Sequence, residues 1–385
     1  MKILFLHKWL IMGGVERILI NYLHLLKNEK NLELSLLIAY EDINDVFKND
    51  VPDSVELDYI FDKKYSNKSD FLQKNRKRSV LNNLIYKIAR LKEKSYCRYY
   101  LNKFIRDNKF DFVINFSNHF DPYIDFEALN IPIIRWQHLA LKDEDSKEVR
   151  KEILVLHKYD KIIAICKDMA KQISERAKIP AGKMSVIYNP INFDEIRSKS
   201  IIEQNRTEQY FIQVARLDKI KRHIDLIDIY HELVKRGVKE NLYILGDGPE
   251  RNNLQAHIDQ LGLQSRCFLL GEIKNPYPYM KNASLFLHTS EREGLPTVLL
   301  ESLILGVPVV AIDCPTGPRE ILNNGKCGAL VPLGDKERFV DVVMEINASF
   351  HEIEVKKNEI SSHIKYFNKE HIKYSFLSLV TNITT

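Results

Sequence analysis

The sequence predicts an α/β protein with two domains, each built on a parallel β-sheet. Short apolar segments alternate with amphipathic helical segments up to about residue 190, and the alternation starts again at Tyr210. Such alternation is typical of parallel strands covered by helices. The 385 residues are enough for two domains of ordinary size. Between the two series, a linker with the polar stretch Ser198 to Arg206 runs to about Thr207.

Composition excludes several classes of protein. With 45% hydrophobic and 28% charged residues, the chain resembles a soluble globular protein. The five cysteines form no C-x-x-C pair, which argues against a disulfide framework or a zinc site and favours a reducing cytosol. No apolar run approaches the roughly 20 residues that span a bilayer. Because His7 and Lys8 interrupt the first apolar run, we expect a buried strand there rather than a signal peptide.

The N-terminal segment has the order strand, glycine-rich loop, helix. Lys2 to Leu6 is the expected strand, and the helix runs from Val15 to about Lys27. This order opens a nucleotide-binding α/β domain. Between the two elements, Gly13 and Gly14 let the backbone approach a diphosphate or a sugar closely. A plain tight turn is an equally good interpretation of the pair.

The segment 63–109 carries most of the positive excess, with 15 Lys and Arg residues against three Asp and Glu. Its apolar residues recur at helical spacing: Leu81, Leu84, Ile85, Ile88 and Leu91. They predict an amphipathic helix. Such a helix either lies on an anionic membrane surface or packs on the sheet with a solvated basic face, and the pattern does not separate these alternatives. No recognised motif supports nucleic acid as a partner.

Two carboxylates mark the second domain. Seven residues separate Glu293 from Glu301, and Gly294-Leu295-Pro296 begins a helix after the first of them. Glu301 lies about two turns inside that helix, so both carboxylates can lie on one side. The helix N-terminus between them suits a phosphate, with sugar hydroxyls at each carboxylate. The alternative is a surface acid and a solvated helical glutamate.

The string from Glu293 to Val310 resembles the signature of glycosyltransferase family 4. Here the motif is Glu293-Gly-Leu-Pro-Thr-Val-Leu-Leu-Glu301, followed by Gly306-Val-Pro-Val-Val310. Members of that family have the GT-B fold, and they retain the anomeric configuration of the transferred sugar. The resemblance therefore implies two Rossmann-like, doubly wound domains that face each other across a cleft. It implies boundaries at 1–190 for the acceptor domain, 191–365 for the donor domain and 366–385 for a helix that returns to the first domain.

The resemblance also implies roles for individual residues. Arg216 and Lys221 match the family's R-L-x-x-x-K pair, which would stabilise the leaving diphosphate. Glu293 would hold hydroxyls of the donor sugar, and Glu301 those of the ribose. His138, which follows a predicted strand at 131–136, would orient the reacting end.

Further positions follow from the same resemblance. His119, after the strand at 112–116, is a weaker candidate than His138, and a lone histidine is more often structural. Gly13 and Gly14 belong to a G-G-x-E-(R/K) pattern, and at position 166 this chain has Cys where the family usually has Ser. The remaining donor-binding candidates are Gly246 in a G-x-G-P turn, Ile273 near the base, and Gly294, Leu295, Pro296 and Thr297 beside the diphosphate.

The expected function is retaining transfer of a hexose or an N-acetylhexosamine from a nucleotide-diphosphate sugar, with UDP preferred. The acceptor would be a lipid-linked glycan in the synthesis of capsule, O-antigen or a related bacterial surface polysaccharide. The Asp313–Glu320 run resembles members that build such glycans. The expected location is the cytoplasm, at the inner face of the membrane if the basic segment binds lipid.

No metal or other cofactor is expected. Asp143-Glu144-Asp145 is similar to a metal-binding D-x-D, but it falls in a polar loop and is interpreted as solvated surface. Two alternatives to the transferase remain open. One is a non-catalytic partner subunit that binds a nucleotide sugar. The other is a different GT-B enzyme, such as a nucleotide-sugar epimerase.

Overall fold

The computed structural model describes residues 1–11, 13–42, 44–142, 144–201, 208–348 and 357–384. The chain divides into two units. Unit 1 comprises Met1–Ile165, Ala170–Pro190 and Lys373–Thr385, and unit 2 comprises Cys166–Met169 and Ile191–Ile372. Asp143 of the acidic triplet and linker residues 202–207 lie outside the described residues.

The sheet of unit 1 has seven described strands. They are β1 (Lys2–His7), β2 (Glu33–Tyr40), β3 (Glu56–Phe61), β4 (Phe112–Asn115), β5 (Ile133–Gln137), β6 (Lys161–Ala164) and β7 (Met184–Val186). All are parallel, in the spatial order β3-β2-β1-β4-β5-β6-β7. The first five helices are α1 (Gly14–Leu26), α2 (Lys63–Asn75), α3 (Val80–Asn108), α4 (Lys147–Leu156) and α5 (Lys167–Ala177).

The sheet of unit 2 has six described strands. They are β8 (Tyr210–Val214), β9 (Asn241–Leu245), β10 (Cys267–Gly271), β11 (Leu285–His288), β12 (Val309–Ile312) and β13 (Ala329–Val331), parallel in the order β10-β9-β8-β11-β12-β13. The helices after α5 are α6 (Phe193–Lys199), α7 (His223–Lys235), α8 (Arg251–Gln260), α9 (Tyr277–Lys281), α10 (Thr297–Ile304), α11 (Pro318–Ile321), α12 (Lys336–Ala348), α13 (Lys357–Ile364) and α14 (Lys369–Thr384).

In both sheets, the strand order reverses next to the strand that comes first in the sequence. β1 lies between β2 and β4, and β8 lies between β9 and β11. The side chains of β1 are buried from Ile3 to His7, which is why this strand reads as a continuous apolar run. In open α/β sheets, ligands bind outside the carboxyl ends of the strands at such a reversal. The topology therefore singles out the loops after β1, β4, β8 and β11.

The predicted amphipathic helix is part of α3, which runs on to Asn108. Its C-terminal half is anchored by buried residues such as Cys97, Leu101 and Ile105. The apolar stripe at its N-terminal half is exposed, with Leu81, Leu84, Ile85, Ile88 and Leu91 each between 44% and 65% accessible. The alternative in which this stripe packs on the sheet is therefore wrong. Among the described helices, none has the length and apolar character needed to cross a bilayer.

Candidate active site

The centre of the unit 2 site is the carboxylate of Glu293, which follows β11. Glu293 Oε1 accepts a hydrogen bond from Lys221 Nζ at 2.6 Å and another from His288 Nε2 at 3.1 Å. Only 9% of Glu293 is exposed. Burial by itself would raise the pKa of this carboxyl, but His288 and Lys221 outweigh burial and lower the pKa to about 2. Glu293 is therefore ionised at every pH near neutrality.

The chain turns from Glu293 into α10 as the sequence predicts. Gly294, Leu295 and Pro296 are buried, and the helix begins at Thr297. Pro296 is the N-cap residue, and no side chain caps this end of the helix. Uncapped N–H groups at a helix N-terminus, together with the positive end of its dipole, favour an anion.

Glu301 lies one turn into α10 and is half-buried. Burial raises its pKa to about 7, and a hydrogen bond with the Thr297 side chain offsets only part of this effect. The two carboxylates of the motif are thus in opposite states, since Glu293 is held ionised while Glu301 is close to half-protonated at neutral pH. The interpretation of Glu293 as a surface acid is wrong.

A neighbouring loop supports the turn at Glu293. The Thr316 hydroxyl donates to the backbone carbonyl of Glu293. Gly317 has a φ of +93°, and a Cβ at this position would lie 2.5 Å from Pro296 Cδ and 2.8 Å from Gly294 O. Only glycine allows this approach without displacing the backbone. The Asp313–Glu320 run therefore has a structural reason to accompany the glutamate motif.

The other donor-side candidates lie in loops after β8, β9 and β10. Arg216 is exposed after β8, and its guanidinium has no ion-pair partner within the described part of the chain. Gly246 has a φ of +133°, and a Cβ at this position would lie 2.0 Å from Ala215 O. The loop of Gly246 therefore lies against the loop that contains Arg216. Ile273 is half-buried, two residues after the end of β10. All three follow carboxyl ends of neighbouring strands in one sheet.

Unit 1 contains Gly13, Gly14 and His138. His138 follows β5 directly, and burial lowers its pKa to about 3, so the ring is neutral. The buried Nε2 of His138 has no partner in the described residues. Burial likewise lowers the pKa of His119 to about 3. A Cβ on Gly14 would meet no atom within 4 Å, so the backbone there is open to a ligand.

Sequence reasoning missed His288, Thr316, His7 and Glu16. His7 and His288 are the last residues of β1 and β11, and a polar residue at that end of a parallel strand is the signal that singled out His119 and His138. Glu16 stands in the quoted G-G-x-E-(R/K) pattern, and its side chain bonds His7. The substitution at position 166 leaves a buried thiol, and burial raises the pKa of Cys166 to about 12.

No group of three or more His, Cys, Asp and Glu side chains in the described ranges is arranged to hold a metal ion. The groups that can bind an anion are the side chains of Arg216 and Lys221 and the uncapped N-terminus of α10.

Two family models match adjacent parts of the chain. The model described as Glycosyltransferase Family 4 matches residues 61–195, and the model described as Glycosyl transferases group 1 matches residues 194–350. Together they cover strands β4 to β7 of unit 1 and all six described strands of unit 2. The chain belongs to glycosyltransferase family 4.

Two relatives of this family 4 chain have informative names. An N-acetylgalactosamine-N,N'-diacetylbacillosaminyl-diphospho-undecaprenol 4-alpha-N-acetylgalactosaminyltransferase of Campylobacter jejuni is 31% identical over 216 residues, which cover 56% of this chain and 58% of that protein. A lipopolysaccharide 1,6-galactosyltransferase of Salmonella typhimurium is 30% identical over 213 residues, which cover 54% of this chain and 56% of that protein. The chain thus spans about half the length of these curated relatives.

A solved structure confirms the fold. A TarM variant from S. aureus, in complex with fondaparinux, alpha-GlcNAc-glycerol and UDP, matches with a TM-score of 0.76. The match covers 100% of this chain and 99% of that one at 14% sequence identity. With two parallel-sheet α/β units in the chain, this likeness confirms the predicted GT-B fold.

Proposed function

We propose that this family 4 chain is a retaining glycosyltransferase. It would transfer a hexose or an N-acetylhexosamine from a UDP-sugar to a lipid-linked glycan in bacterial surface polysaccharide synthesis. The observation that carries the proposal is the cluster of Lys221, Glu293 and His288 immediately before the uncapped N-terminus of α10.

The geometry of Glu293 suits a sugar. Both hydrogen bonds from Lys221 and His288 end on Oε1, and in the described residues Oε2 has no hydrogen bond. An ionised oxygen that is fixed in place but unpaired is a strong acceptor for a hydroxyl. Because Lys221 and His288 fix the carboxylate in advance, little reorganisation is needed when the donor sugar binds.

The surroundings suit a diphosphate. Lys221 presents a point charge beside Glu293, Arg216 follows the adjacent strand β8 without an ion-pair partner among the described residues, and α10 presents its N-terminus. Fixed positive groups of this kind would stabilise the charge that develops on a leaving UDP. We propose that they do so without a metal ion.

The relatives support the choice of substrates. One of them is named for adding N-acetylgalactosamine to a glycan on undecaprenol diphosphate, and the other for adding galactose to lipopolysaccharide. The TarM complex contains UDP. A UDP-hexose or UDP-N-acetylhexosamine donor and a lipid-linked acceptor are therefore the substrates to test first.

The test is release of UDP from UDP-glucose, UDP-galactose and their N-acetylamino counterparts, with lipid-linked glycans as acceptors. We expect sugar-dependent release, and an α-anomeric product by NMR from an α-linked donor, which is retention. Binding of UDP without release under any of these conditions would favour the non-catalytic partner subunit. Conversion of the donor sugar to its epimer, without transfer, would favour the epimerase.

We also propose that the exposed stripe of α3 attaches the protein to an anionic membrane surface. Its apolar residues are 44% to 65% exposed, and the same helix carries Lys87, Lys92 and Lys94. Apolar side chains can enter the boundary between headgroups and acyl chains while the lysines contact anionic lipid. A lipid-linked acceptor would lie at that surface.

Co-sedimentation with vesicles tests the attachment. We expect the protein to sediment with phosphatidylglycerol vesicles and to bind phosphatidylcholine vesicles less. A Leu84→Ser, Ile88→Ser double variant should lose roughly tenfold in binding, because less apolar area is buried. The matched control is Leu154→Ser, since Leu154 is 66% exposed on α4 and lies outside the stripe. Equal binding to both lipids, or no effect of the double variant, would contradict the proposal.

A further inference from the structure

His7 and Glu16 form a buried pair at the carboxyl end of β1. The His7 Nε2 atom lies 3.0 Å from Glu16 Oε1, and the two residues are only 2% and 8% exposed. A carboxylate can only accept, so His7 donates from Nε2. The other nitrogen, Nδ1, is buried without a partner in the described residues, and in the neutral ring it is an acceptor.

Gly13 makes this pair possible. A Cβ on Gly13 would lie 2.1 Å from Glu16 Oε2, so the glutamate occupies the space that any other side chain would need. Glu16 is in the first turn of α1 and reaches back to the end of β1. The G-G-x-E pattern thus has a physical meaning, in which the first glycine makes room and the glutamate fixes one nitrogen of His7.

A second unpartnered ring nitrogen lies nearby. The His7 and His138 rings pack against Phe116, with ring centroids 6.2 Å and 4.5 Å away respectively. The Nε2 atom of His138 is likewise buried without a partner in the described residues. Buried acceptors left without a donor are unfavourable, and a ligand that donates to them removes that cost.

We propose that His7 and Glu16 form a positioning pair for the acceptor sugar. His7 Nδ1 accepts a hydrogen bond from a pyranoside hydroxyl, and Glu16 fixes the tautomer and orientation that make this possible. This inference rests on the proposed transferase function, and it names the ligand class of unit 1. A hydroxyl-rich, uncharged ring fits the two unpartnered nitrogens better than an anion does, because a hydroxyl both donates and accepts whereas an anion only accepts.

A purely structural role would give a different result when His7 is replaced. The side-chain amide of glutamine can reach the place of the histidine Nε2 and donate to Glu16, but it offers nothing at the place of Nδ1. His7→Gln therefore keeps the tie between β1 and α1 and removes the acceptor nitrogen. Glu16→Ala keeps the imidazole and removes the group that fixes it.

The test is saturation-transfer NMR of the full chain with the methyl α-glycosides of glucose, galactose and N-acetylgalactosamine, without nucleotide. We expect wild-type protein to bind at least one glycoside, and His7→Gln and Glu16→Ala to bind it about tenfold more weakly. Melting temperature and UDP-hexose affinity of His7→Gln should match the wild type. The control is His257→Gln, which alters the His257–Asp228 pair of unit 2, whose atoms lie 2.6 Å apart.

Wild-type affinity in His7→Gln, or no glycoside binding by the wild type, would overturn the inference. The result is distinguishable from failure of the proposed function. If UDP-hexose turns over while His7→Gln binds glycosides normally, the transferase stands and the positioning pair falls. If glycoside binding depends on His7 while no UDP-sugar binds, His7 and Glu16 position a glycoside but the proposed transferase function fails.

Discussion

The polar side chains at the carboxyl ends of the two sheets differ in charge. In unit 2, Glu293 is ionised and paired with Lys221 and His288. In unit 1, His138 is neutral, and within the described part of the chain both His138 and His7 keep one nitrogen unpaired. In unit 2, Lys221 and the helix N-terminus favour a diphosphate and the ionised Glu293 favours hydroxyl groups, whereas the neutral His138 of unit 1 favours hydroxyl groups alone. The same strand topology thus supports two different kinds of recognition.

The two glutamates of unit 2 show the same contrast on a smaller scale. The pKa of Glu293 is lowered, so its interactions stabilise the fold above pH 4.5, and this stabilisation is lost as pH falls toward 2. The pKa of Glu301 is raised to about 7, so ionising it costs stability as pH rises from 4.5 to 7. Cations beside one carboxylate and burial of the other produce opposite shifts within one short motif.

The largest predicted effect comes from removing the charged centre of unit 2. Glu293→Ala should lower kcat/KM by about a hundredfold, near 3 kcal/mol, because the transition state loses an ionised acceptor. Steady-state release of UDP measures it. Glu291→Ala is the matched control, since Glu291 pairs with Arg222 at 3.1 Å and is 43% exposed. Unchanged turnover in Glu293→Ala would remove this residue from the mechanism.

A smaller effect should follow from disturbing the loop that supports Glu293. Gly317 and Gly334 both have φ near +90°, but only Gly317 has atoms where a Cβ would lie. We expect Gly334→Ala to cost about 1 kcal/mol of stability and Gly317→Ala about 2 to 4 kcal/mol, because a clash adds to the strain. Denaturant unfolding measures both. Equal losses would show that the contact with Pro296 and Gly294 has no energetic role.

Glu301 predicts a pH dependence of donor affinity. Its pKa of about 7 means that the carboxyl is protonated below neutrality and must lose its proton to accept ribose hydroxyls. UDP-hexose affinity should therefore be constant above pH 7 and fall below it, by up to about tenfold per pH unit. Isothermal titration calorimetry measures it with UDP-hexose, whose diphosphate does not titrate in this range. The same profile in Glu301→Gln would assign the dependence to another group.

The smallest expected effect concerns His138, which should give glycoside binding no pH dependence near neutrality. Its pKa of about 3 keeps the ring neutral between about pH 5 and pH 9, so glycoside binding should not change through this residue. His138→Gln should weaken binding a fewfold without altering the shape of the pH profile. A step in the wild-type profile near pH 6.5 that vanishes in the variant would show that His138 titrates in the normal range.

The fold class followed from the sequence because parallel strands buried on both faces read as apolar runs at regular intervals. The expected strand at 2–6 corresponds to β1, and the helix expected from Val15 starts at Gly14. The start of α10 was also predictable, because Gly294-Leu295-Pro296 ends the loop before it. The family resemblance singled out Glu293 and Lys221, and the structure brings these two together.

Other features depend on distances that no local pattern contains. The role of His288 depends on the loop that places Glu293 beside it. The role of Glu16 depends on the space that Gly13 leaves for its carboxylate. The sequence also did not predict that the apolar stripe on α3 is exposed, because a stripe that faces a core has the same spacing as one that faces solvent.

The most direct test of the charged site in unit 2 is the melting temperature with UDP, GDP and ADP, each with and without a metal chelator. A ligand present at about 100 times its Kd should stabilise the protein by roughly 2.7 kcal/mol. We expect a shift with UDP alone that survives chelation and is lost in Glu301→Ala. A shift that requires metal, or the absence of a shift with every nucleotide, would contradict it.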